Sequence, residues 1–410
     1  MIKRILVQDY GGYAFPVQLS KALARRGYDV RHVFAGSNNM PNKPTEASQS
    51  DPIGYCVRSI ETKHPLEKYN LIQRWFQERE YGQLVCDEVD SFLPDVVLSA
   101  NMPLDAQKKL LRHCKKKGIR FIYWLQDLIS VAANSILDQK LPVAGRLIGA
   151  YYTQLEFKLL AESDRIVAIS PDFQRFLNAA AIPNEKVTII PNWAELSQYT
   201  IPKDNPWSRA NGCADKFCFT YTGTLGYKHK PEILLALALH FMDDPNVVVK
   251  VISIGPGASW LLAEQERLGL KNLQVIPYVA GEEYPLVLAA SDVLVAILSE
   301  DASKYSVPSK VNTYLAAGKP LLLAMPPENR SARIVAECKS GFLVDAGDKN
   351  GFIQKAEALK KDRALRLEMG KNGQLFAEVN FEIEAIADKF NNIFEKTHIE
   401  GCTGLHITTH

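Results

Sequence analysis

Short apolar runs alternate with helical periods along nearly the whole chain, and this alternation restricts the possible folds more than any other feature. Such runs, each followed by an amphipathic helix, pair as parallel strands with helices over both faces of the sheet. In the first half the predicted strands are Arg4–Gln8, Asp29–Phe34, Asp95–Ser99, Phe121–Leu125, Arg165–Ser170 and Val187–Pro191. The predicted helices there include Pro16–Arg26, Leu71–Ser91, Asp105–Lys117 and Leu147–Glu162. Residues 193–216 then turn polar, carry Pro202, Pro206 and two tryptophans, and show no period. A second alternation follows, with strands at Phe217–Tyr221, Val247–Ile252, Leu273–Pro277, Val293–Leu298, Pro320–Ala324 and Phe342–Val344. Its helices include Glu232–Met242, Ser259–Leu268, Tyr284–Ala290 and Gly351–Lys361, and the tail Arg363–Thr397 reads as helix with a break near Asn380.

A chain of 410 residues is too long for one core, so two domains facing a cleft are expected. The boundaries read as 1–195 for the first domain, 196–216 for a linker and 217–378 for the second. Residues 379–410 read as a C-terminal helix and tail. The net charge of +2 supplies no field that would gather nucleic acid, which is excluded as a partner. The seven cysteines are scattered and odd in number, which fits a reduced, cytoplasmic setting rather than a disulfide framework. The opening run Met1–Val7 reads as a strand rather than a secretion signal, and no apolar run approaches a membrane span.

Four loops carry candidate chemistry. Pro308–Pro320 follows a hydrophobic strand; Ser309 is a good N-cap, and Gly318 with Pro320 would end the helix. Free N–H groups at that helix start would make an anion site, and Lys310 in its first turn opposes the helix dipole unless an anion is present. Gly11-Gly12 follows the first strand and permits a tight turn, without the third glycine of a dinucleotide fingerprint. Thr222–Lys230 joins a glycine turn to nearby cations, a combination suited to a pyrophosphate. Gly255-Pro256-Gly257 opens a helix after a buried strand. Each also fits an ordinary crossover, turn or solvated loop.

The order of local blocks is similar to that of the family-4 retaining glycosyltransferases. These blocks are Gly11-Gly12 with the helix from Gln18 to Gly27; Tyr123–Asp127; Ser163–Ser170 running on to Pro191-Asn192-Trp193; and Tyr221-Thr222-Gly223 through Gly255-Pro256-Gly257 and Ser291-Asp292 to the Pro308-Ser309-Lys310 helix. Within that family the chain most resembles the branch of colanic-acid and exopolysaccharide assembly.

The resemblance implies an α/β, GT-B-like architecture: two Rossmann-like parallel-sheet domains facing a cleft, with C-terminal helices crossing back. It implies an acceptor-binding first domain and a second domain for a nucleotide-diphosphate sugar. It further implies transfer of a hexose or deoxyhexose, with retained configuration, to a glycan or lipid-linked acceptor. Gly11, Gly12, Gly223, Thr224, Lys230, Gly255, Pro308, Ser309, Lys310 and Thr313 would surround the donor, with Tyr278 and Val279 as the wall for its base. Asp127, Lys228 and Glu300 are the candidate catalytic side chains, with Asp127 equally readable as a helix cap.

Departures from the family pattern are plain. Thr224 stands at the usual arginine position, leaving Lys228 or Lys230 as the lysine. The acidic pair falls on Tyr305 and Thr313, so Glu300 or Asp301 would have to reach the sugar hydroxyls. Gln126 stands where relatives often have histidine, and no imidazole base is proposed. In retaining transfer the leaving β-phosphate oxygen accepts the proton. No Asp-x-Asp triplet occurs, so a metal-independent reaction without a cofactor is expected. The basic segment Lys108–Lys117 is either a solvated face or a contact with anionic lipid on the cytoplasmic side. Two other classes stay open: a nucleotide-sugar epimerase, which would need acid/base groups the sequence does not offer, and a non-catalytic nucleotide-binding partner.

Overall fold

The computed structural model describes residues 2–36, 48, 50–64, 70–140, 144–196, 201–226, 229–303 and 306–402. The chain divides into two compact units, Met1–Pro191 with Ile383–His410, and Asn192–Glu382.

The first unit holds β1 (Arg4–Asp9), β2 (Asp29–Ala35), β3 (Tyr55–Ile60), β4 (Val96–Ala100), β5 (Arg120–Leu125), β6 (Arg165–Ala168) and β7 (Val187–Ile189). They form one sheet in the order β3-β2-β1-β4-β5-β6-β7, and every pair is parallel. Its helices include α1 (Ala14–Arg25), α2 (Leu71–Phe92), α3 (Leu104–Lys116), α4 (Ile129–Lys140) and α5 (Ala144–Glu162). All five residues of β4 are buried, as a strand covered on both faces must be. Sequence reading missed β3, an edge strand with Arg58 and Ser59 exposed, because polar residues blunt such edges and erase the apolar signal.

The C-terminal helix Ile383–Cys402 belongs to this unit. Arg26 Nη2 contacts Asp388 at 2.8 Å, Arg25 Nη2 contacts Glu384 at 2.9 Å, and Arg120 Nη1 donates to the Phe394 carbonyl at 3.2 Å. Beneath these polar ties the buried Phe390 ring meets the buried Trp124 ring edge-on at 5.1 Å, and Trp124 in turn meets Phe15 at 5.7 Å.

The second unit holds β8 (Phe217–Thr222), β9 (Val247–Ile252), β10 (Leu273–Ile276), β11 (Val293–Ile297), β12 (Leu321–Ala324) and β13 (Gly341–Val344). Their order is β10-β9-β8-β11-β12-β13, again all parallel. The segment expected as a linker differs from that reading. Residues 205–213 are part of this unit's core: a short helix, Pro206–Ala210, is closed by a capping box in which Asn205 Oδ1 accepts from Ser208 N at 3.0 Å. Trp207 and Cys213 pack there with Cys218, Val248 and Val287. The polar composition was that of a cap and turn, not of a free tether. The helix Arg363–Asn380 also stays in this unit. Gly370 and Gly373 let it lie against Gly318 and Leu315, and the chain passes to the first unit at Glu382–Ile383.

In each sheet the strand order reverses once, between β1 and β4 and between β8 and β11. At such a reversal the crossovers leave in opposite directions and open a crevice at the carboxyl ends of the strands.

Phe390→Ala should lower the stability of the first unit by about 3–5 kcal/mol, because the ring is fully buried against Trp124. Urea unfolding followed by tryptophan fluorescence would measure it; a shift below 1 kcal/mol would show that the C-terminal helix is not part of that core.

Candidate functional site

In the first unit two loops leave the sheet at its reversal, after β1 and β4, and a third leaves the neighbouring β5. The turn after β1 is built by Asp9. Its buried carboxylate accepts from Gly11 N at 3.2 Å and Tyr13 N at 2.6 Å, while Gly12 N donates to the Asp9 carbonyl at 3.3 Å. Gly12 has φ +68, which the turn's backbone requires, and a Cβ on Gly11 would overlap the Tyr13 ring at 2.2 Å, so Gly11 leaves room for that ring. Burial pushes the Asp9 carboxyl up to about 7, against the opposing backbone hydrogen bonds from Tyr13, Gly11 and Gly12. Nothing in the apolar pattern of β1 pointed to Asp9.

After β4, Asn101 adopts φ +51 and its Nδ2 donates to Gln126 Oε1 at 2.7 Å. Gln126 is 4% exposed, and its Nε2 has no partner among the described residues. A buried amide donor left unpaired costs roughly 1–3 kcal/mol, so this group is a donor held ready at the end of β5. The start of α4 is also held from α5. Glu156 accepts from Ile129 N at 3.2 Å, Ser130 N at 2.9 Å and Ser130 Oγ at 2.5 Å. Burial raises the Glu156 carboxyl above its usual range, and these donors oppose the rise. Asp127 is half-buried on the turn that Glu156 pins.

In the second unit the turn after β8 is interleaved with the loop after β9. Gly223, φ +102, donates its N–H to the Ile252 carbonyl at 3.0 Å, and Leu225 N donates to Ile254 at 3.0 Å. The Leu225 carbonyl then accepts from Gly257 N at 3.0 Å. Gly255, φ +110, packs so closely that a Cβ would lie 2.8 Å from the Leu225 carbonyl oxygen. From it starts the helix Pro256–Leu268, whose 13 residues are long enough to present a positive end to this loop.

Phenols surround the turn. Thr222 N donates to Tyr314 Oη at 3.0 Å, and Thr222 Oγ1 lies 3.0 Å from Tyr284 Oη and 2.9 Å from Tyr314 Oη. Thr224 Oγ1 is hydrogen-bonded to Tyr278 Oη. Burial raises the Tyr284 phenol to about 12 and lifts Tyr221, Tyr278 and Tyr314 as well, so all four are neutral donors or acceptors. Lys310 reaches this turn: its Nζ donates to Tyr221 Oη at 2.7 Å and lies 3.9 Å from the centre of that ring. The same Nζ would be 2.9 Å from a Cβ at position 223.

One expectation changes. Ser309 is itself in helical conformation and its side chain makes no cap bond, and the helix Lys310–Ala316 has only seven residues. A helix of two turns has little dipole to offer an anion, and the Lys310 ammonium at the Gly223 turn is a positive charge close by. Val279 follows Tyr278 in the same loop, and its side chain packs against the Trp207 and Cys213 cluster. Tyr221, Tyr284 and Tyr314 were missed, because their relevance depends on contacts between residues far apart in sequence.

The remaining predicted residues are placed as follows. Lys230 and Glu300 are exposed, Glu300 in a one-turn helix after β11, and Thr313 is half-buried beside Tyr314. Pro308 accepts from Val311 N at 3.1 Å. Lys228 and Tyr305 lie outside the described residues. Among the described residues no group of three or more His, Cys, Asp or Glu side chains could hold a metal ion.

Two family models match the chain, Glycosyltransferase Family 4 over residues 15–198 and Glycosyl transferases group 1 over residues 206–376. The chain belongs to the family-4 glycosyltransferases. A relative from Escherichia coli K12, WcaI, named for a colanic acid biosynthesis glycosyl transferase, is 24% identical over 233 residues, covering 55% of this chain and 56% of WcaI. The chain therefore spans little more than half of that relative. Sucrose-phosphate synthase from Thermosynechococcus elongatus has a TM-score of 0.73 at 14% identity, covering 97% of this chain and all of the other. HepE from Anabaena, solved with UDP-glucose, has a TM-score of 0.69 at 15% identity, covering 96% and 99%. These likenesses give the fold, which is GT-B.

Two outcomes follow for this family-4 glycosyltransferase. Gly223→Ala should cost about 1–2 kcal/mol through its left-handed backbone and should also dislodge Lys310. Thermal unfolding reads the cost; an unchanged melting temperature would contradict it.

The folded Asp9 carboxyl titrates near 7 and an unfolded one near 3.8. Its contribution to stability is therefore greatest below about pH 4 and is lost as pH rises towards 7, by on the order of 4 kcal/mol. Urea titrations at pH 4, 6 and 8 should show that slope in the wild type and a flatter one in Asp9→Asn. Parallel curves would refute the burial effect.

Proposed function

We propose that the chain is a retaining glycosyltransferase that moves a hexose or deoxyhexose from a nucleotide-diphosphate sugar to a glycan or lipid-linked acceptor in polysaccharide biosynthesis. The observation that carries this reading is the turn Thr222–Gly226 at the reversal of the second sheet. Two positive-φ glycines, the start of a 13-residue helix and the Lys310 ammonium converge there. Amide dipoles and a cation fixed in advance suit a diphosphate whose charge grows as the sugar departs. Gly223, Thr224, Gly255, Lys310 and Tyr278 line that place, with Lys228, Lys230, Glu300, Pro308, Ser309 and Thr313 as further donor-side candidates.

The first unit takes the acceptor, with Asp127 as a catalytic candidate beside the Gln126 amide and Gly11 and Gly12 as donor-binding candidates close to the acceptor. In this reading the acceptor hydroxyl loses its proton to a leaving β-phosphate oxygen, the anomeric carbon–phosphate bond breaks, and the new glycosidic bond forms on the same face. No protein base and no metal are part of it. The UDP-glucose in HepE supports a nucleotide-diphosphate sugar as co-substrate, and WcaI supports polysaccharide assembly as the setting. Cytoplasmic action, with peripheral contact between the basic α3 and an anionic membrane, completes the reading.

Thr224 and Thr313, standing where the family carries charged side chains, favour one second reading: a non-catalytic binder of nucleotide. Thermal-shift screening with UDP, GDP, ADP and dTDP tests the shared part, since a bound ligand raises apparent stability by mass action. Lys310→Gln should weaken the preferred diphosphate about tenfold or more, the size of one charged hydrogen bond, and leave nucleoside binding unchanged. Release of nucleotide from the sugar donor with acceptor extract decides between the readings: release supports transfer, and binding without release supports the second. If none of the four diphosphates shifts the melting temperature, both fail.

A further inference from the structure

Two thiols meet at the amino end of β8, the opposite end of that strand from the Thr222–Gly226 turn. Cys213 closes the turn after the short helix Pro206–Ala210, its N–H donating to the Ser208 carbonyl at 2.9 Å, and Cys218 is the second residue of β8. Both are free thiols, at most 1% exposed, in one cluster with Trp207 and Val248. The chain turns back between them, with Lys216 N donating to the Cys213 carbonyl at 3.3 Å. Cys218 Sγ lies 3.7 Å from that same carbonyl oxygen and 3.7 Å from the carbonyl of Lys216, and the two cysteine side chains are hydrogen-bonding neighbours.

Cations surround the pair. Lys250 on β9 is 1% exposed; its Nζ donates to the Asn211 carbonyl at 3.0 Å and to Gln274 Oε1, and lies 5.3 Å from the centre of the Trp207 ring. Lys203 Nζ pairs with Asp292 at 2.5 Å, and Asp292 also accepts from Cys218 N at 2.8 Å. The hydrogen bond from Cys218 favours a thiolate at Cys213, and the Lys250 and Lys203 ammoniums add to it against burial, so Cys213 is held below the ordinary thiol range. The same hydrogen bond, together with burial, pushes Cys218 up, and it keeps its proton. Burial lowers the Lys250 ammonium in turn, and the two sulfurs oppose that. A thiolate beside a thiol is the pairing of an attacking and a resolving cysteine. Cys86 on α2 and Cys114 on α3 are also buried neighbours, but burial raises both, which leaves them as inert thiols.

Only a short turn covers Cys213. Gly212, with φ +59, and Asp215 are exposed on it, and it is tied down by Asn211 Nδ2 to the Trp207 carbonyl at 2.9 Å and Gly212 N to the Arg209 carbonyl at 3.2 Å. Local opening of a surface turn admits a small oxidant without unfolding the unit.

We propose that Cys213 and Cys218 form a hydroperoxide-sensitive modification site, in which Cys213 is the attacking sulfur and Cys218 closes a disulfide. In the first step the Cys213 sulfur takes the terminal peroxide oxygen and the O–O bond breaks. A sulfenic acid remains, and the departing alkoxide or hydroxide takes up the proton that Cys213 had given to solvent. In the second step the Cys218 sulfur attacks the Cys213 sulfur, and the sulfenic hydroxyl leaves as water with the Cys218 proton. Two thiols and one hydroperoxide thus give a disulfide, water and an alcohol, or a second water from hydrogen peroxide, and a dithiol reductant reverses the change. The bond ties the helix Pro206–Ala210 to β8. The site is separate from the proposed diphosphate turn and stands whether or not the protein transfers sugar.

The test treats the reduced full chain with hydrogen peroxide near pH 7, quenches it with iodoacetamide in urea, and maps tryptic peptides. Trypsin cuts after Lys216 and leaves the two cysteines on separate peptides. Those peptides are expected to be joined, with loss of two hydrogens, before Cys86 or Cys114 is modified. Cys218→Ser should instead accumulate a sulfenic acid at Cys213, trapped by dimedone, and Cys213→Ser should give neither product. Lys250→Met should slow the bond about tenfold near pH 7, the change in thiolate for one unit of pKa, and by much less near pH 9, where an ordinary thiol ionises. Melting temperature reports the folding of each variant, and the wild-type map needs none of them. Alkylation of both Cys213 and Cys218 after the peroxide has oxidised glutathione in the same tube overturns the proposal. So does a bond from Cys213 to any other cysteine, dimedone on Cys218 in Cys213→Ser, or the wild-type rate in Lys250→Met.

Discussion

Parallel pairing is the constraint from which the rest of this molecule follows. Every strand in both sheets runs in the same sense, so each must be joined to the next by a crossover, and the faces of the sheet are covered by the crossovers themselves. The central strands then have no wet face, and β4, β9 and β11 are apolar or buried from end to end. All the carboxyl ends point one way within a unit. Because the order reverses once in each sheet, two neighbouring strands, β1 with β4 and β8 with β11, send their crossovers apart. The polar residues of the site occupy the strand ends beside that reversal, where backbone groups leave the ladder of paired strands.

Those strand ends are also where the backbone is least relaxed. Gly12, Asn101, Gly223 and Gly255 all have positive φ, and each follows directly or closely on a strand. Three are glycine, for which the conformation is cheap. Asn101 is not, and its side chain is committed to Gln126. Leu93 and Lys339, by contrast, have similar φ at helix ends, where the left-handed residue simply closes a helix. Strain near a functional loop and strain at a helix terminus thus look alike in a dihedral list. They separate only when the neighbouring hydrogen bonds are considered.

The strands and most helices were legible because a buried parallel strand is an uninterrupted apolar run, and predicted and observed bounds differ mainly at the ends. What escaped was of two kinds. The first was structure whose residues are polar for local reasons: the edge strand β3, and the capping box at Asn205 that made a core segment read as a tether. The second was contact over distance. Lys310 and Tyr221 are 89 positions apart, Asn101 and Gln126 are 25 apart, and no local period links either pair. The glycine loops were visible as glycines. Their purpose, admitting the Tyr13 ring in one case and the Lys310 ammonium in the other, was not.

Lys310 bears on the most puzzling trait of the sequence, the loss of charge at positions where the resemblance implies it. Thr224 and Thr313 are neutral, and a site for a diphosphate with neither residue charged would be short of electrostatic stabilisation. The ammonium at the Gly223 turn changes that balance. It arrives from a different helix, but it meets the same turn as position 224, one residue from the place an arginine would have occupied. The glycine at 223 leaves room for it, and the Tyr221 phenol beneath it engages the ammonium through its ring and its hydroxyl. Charge at such a site is a property of the turn rather than of one sequence position, and a departure from a family's motif is weak evidence against its chemistry until the neighbouring helices have been counted.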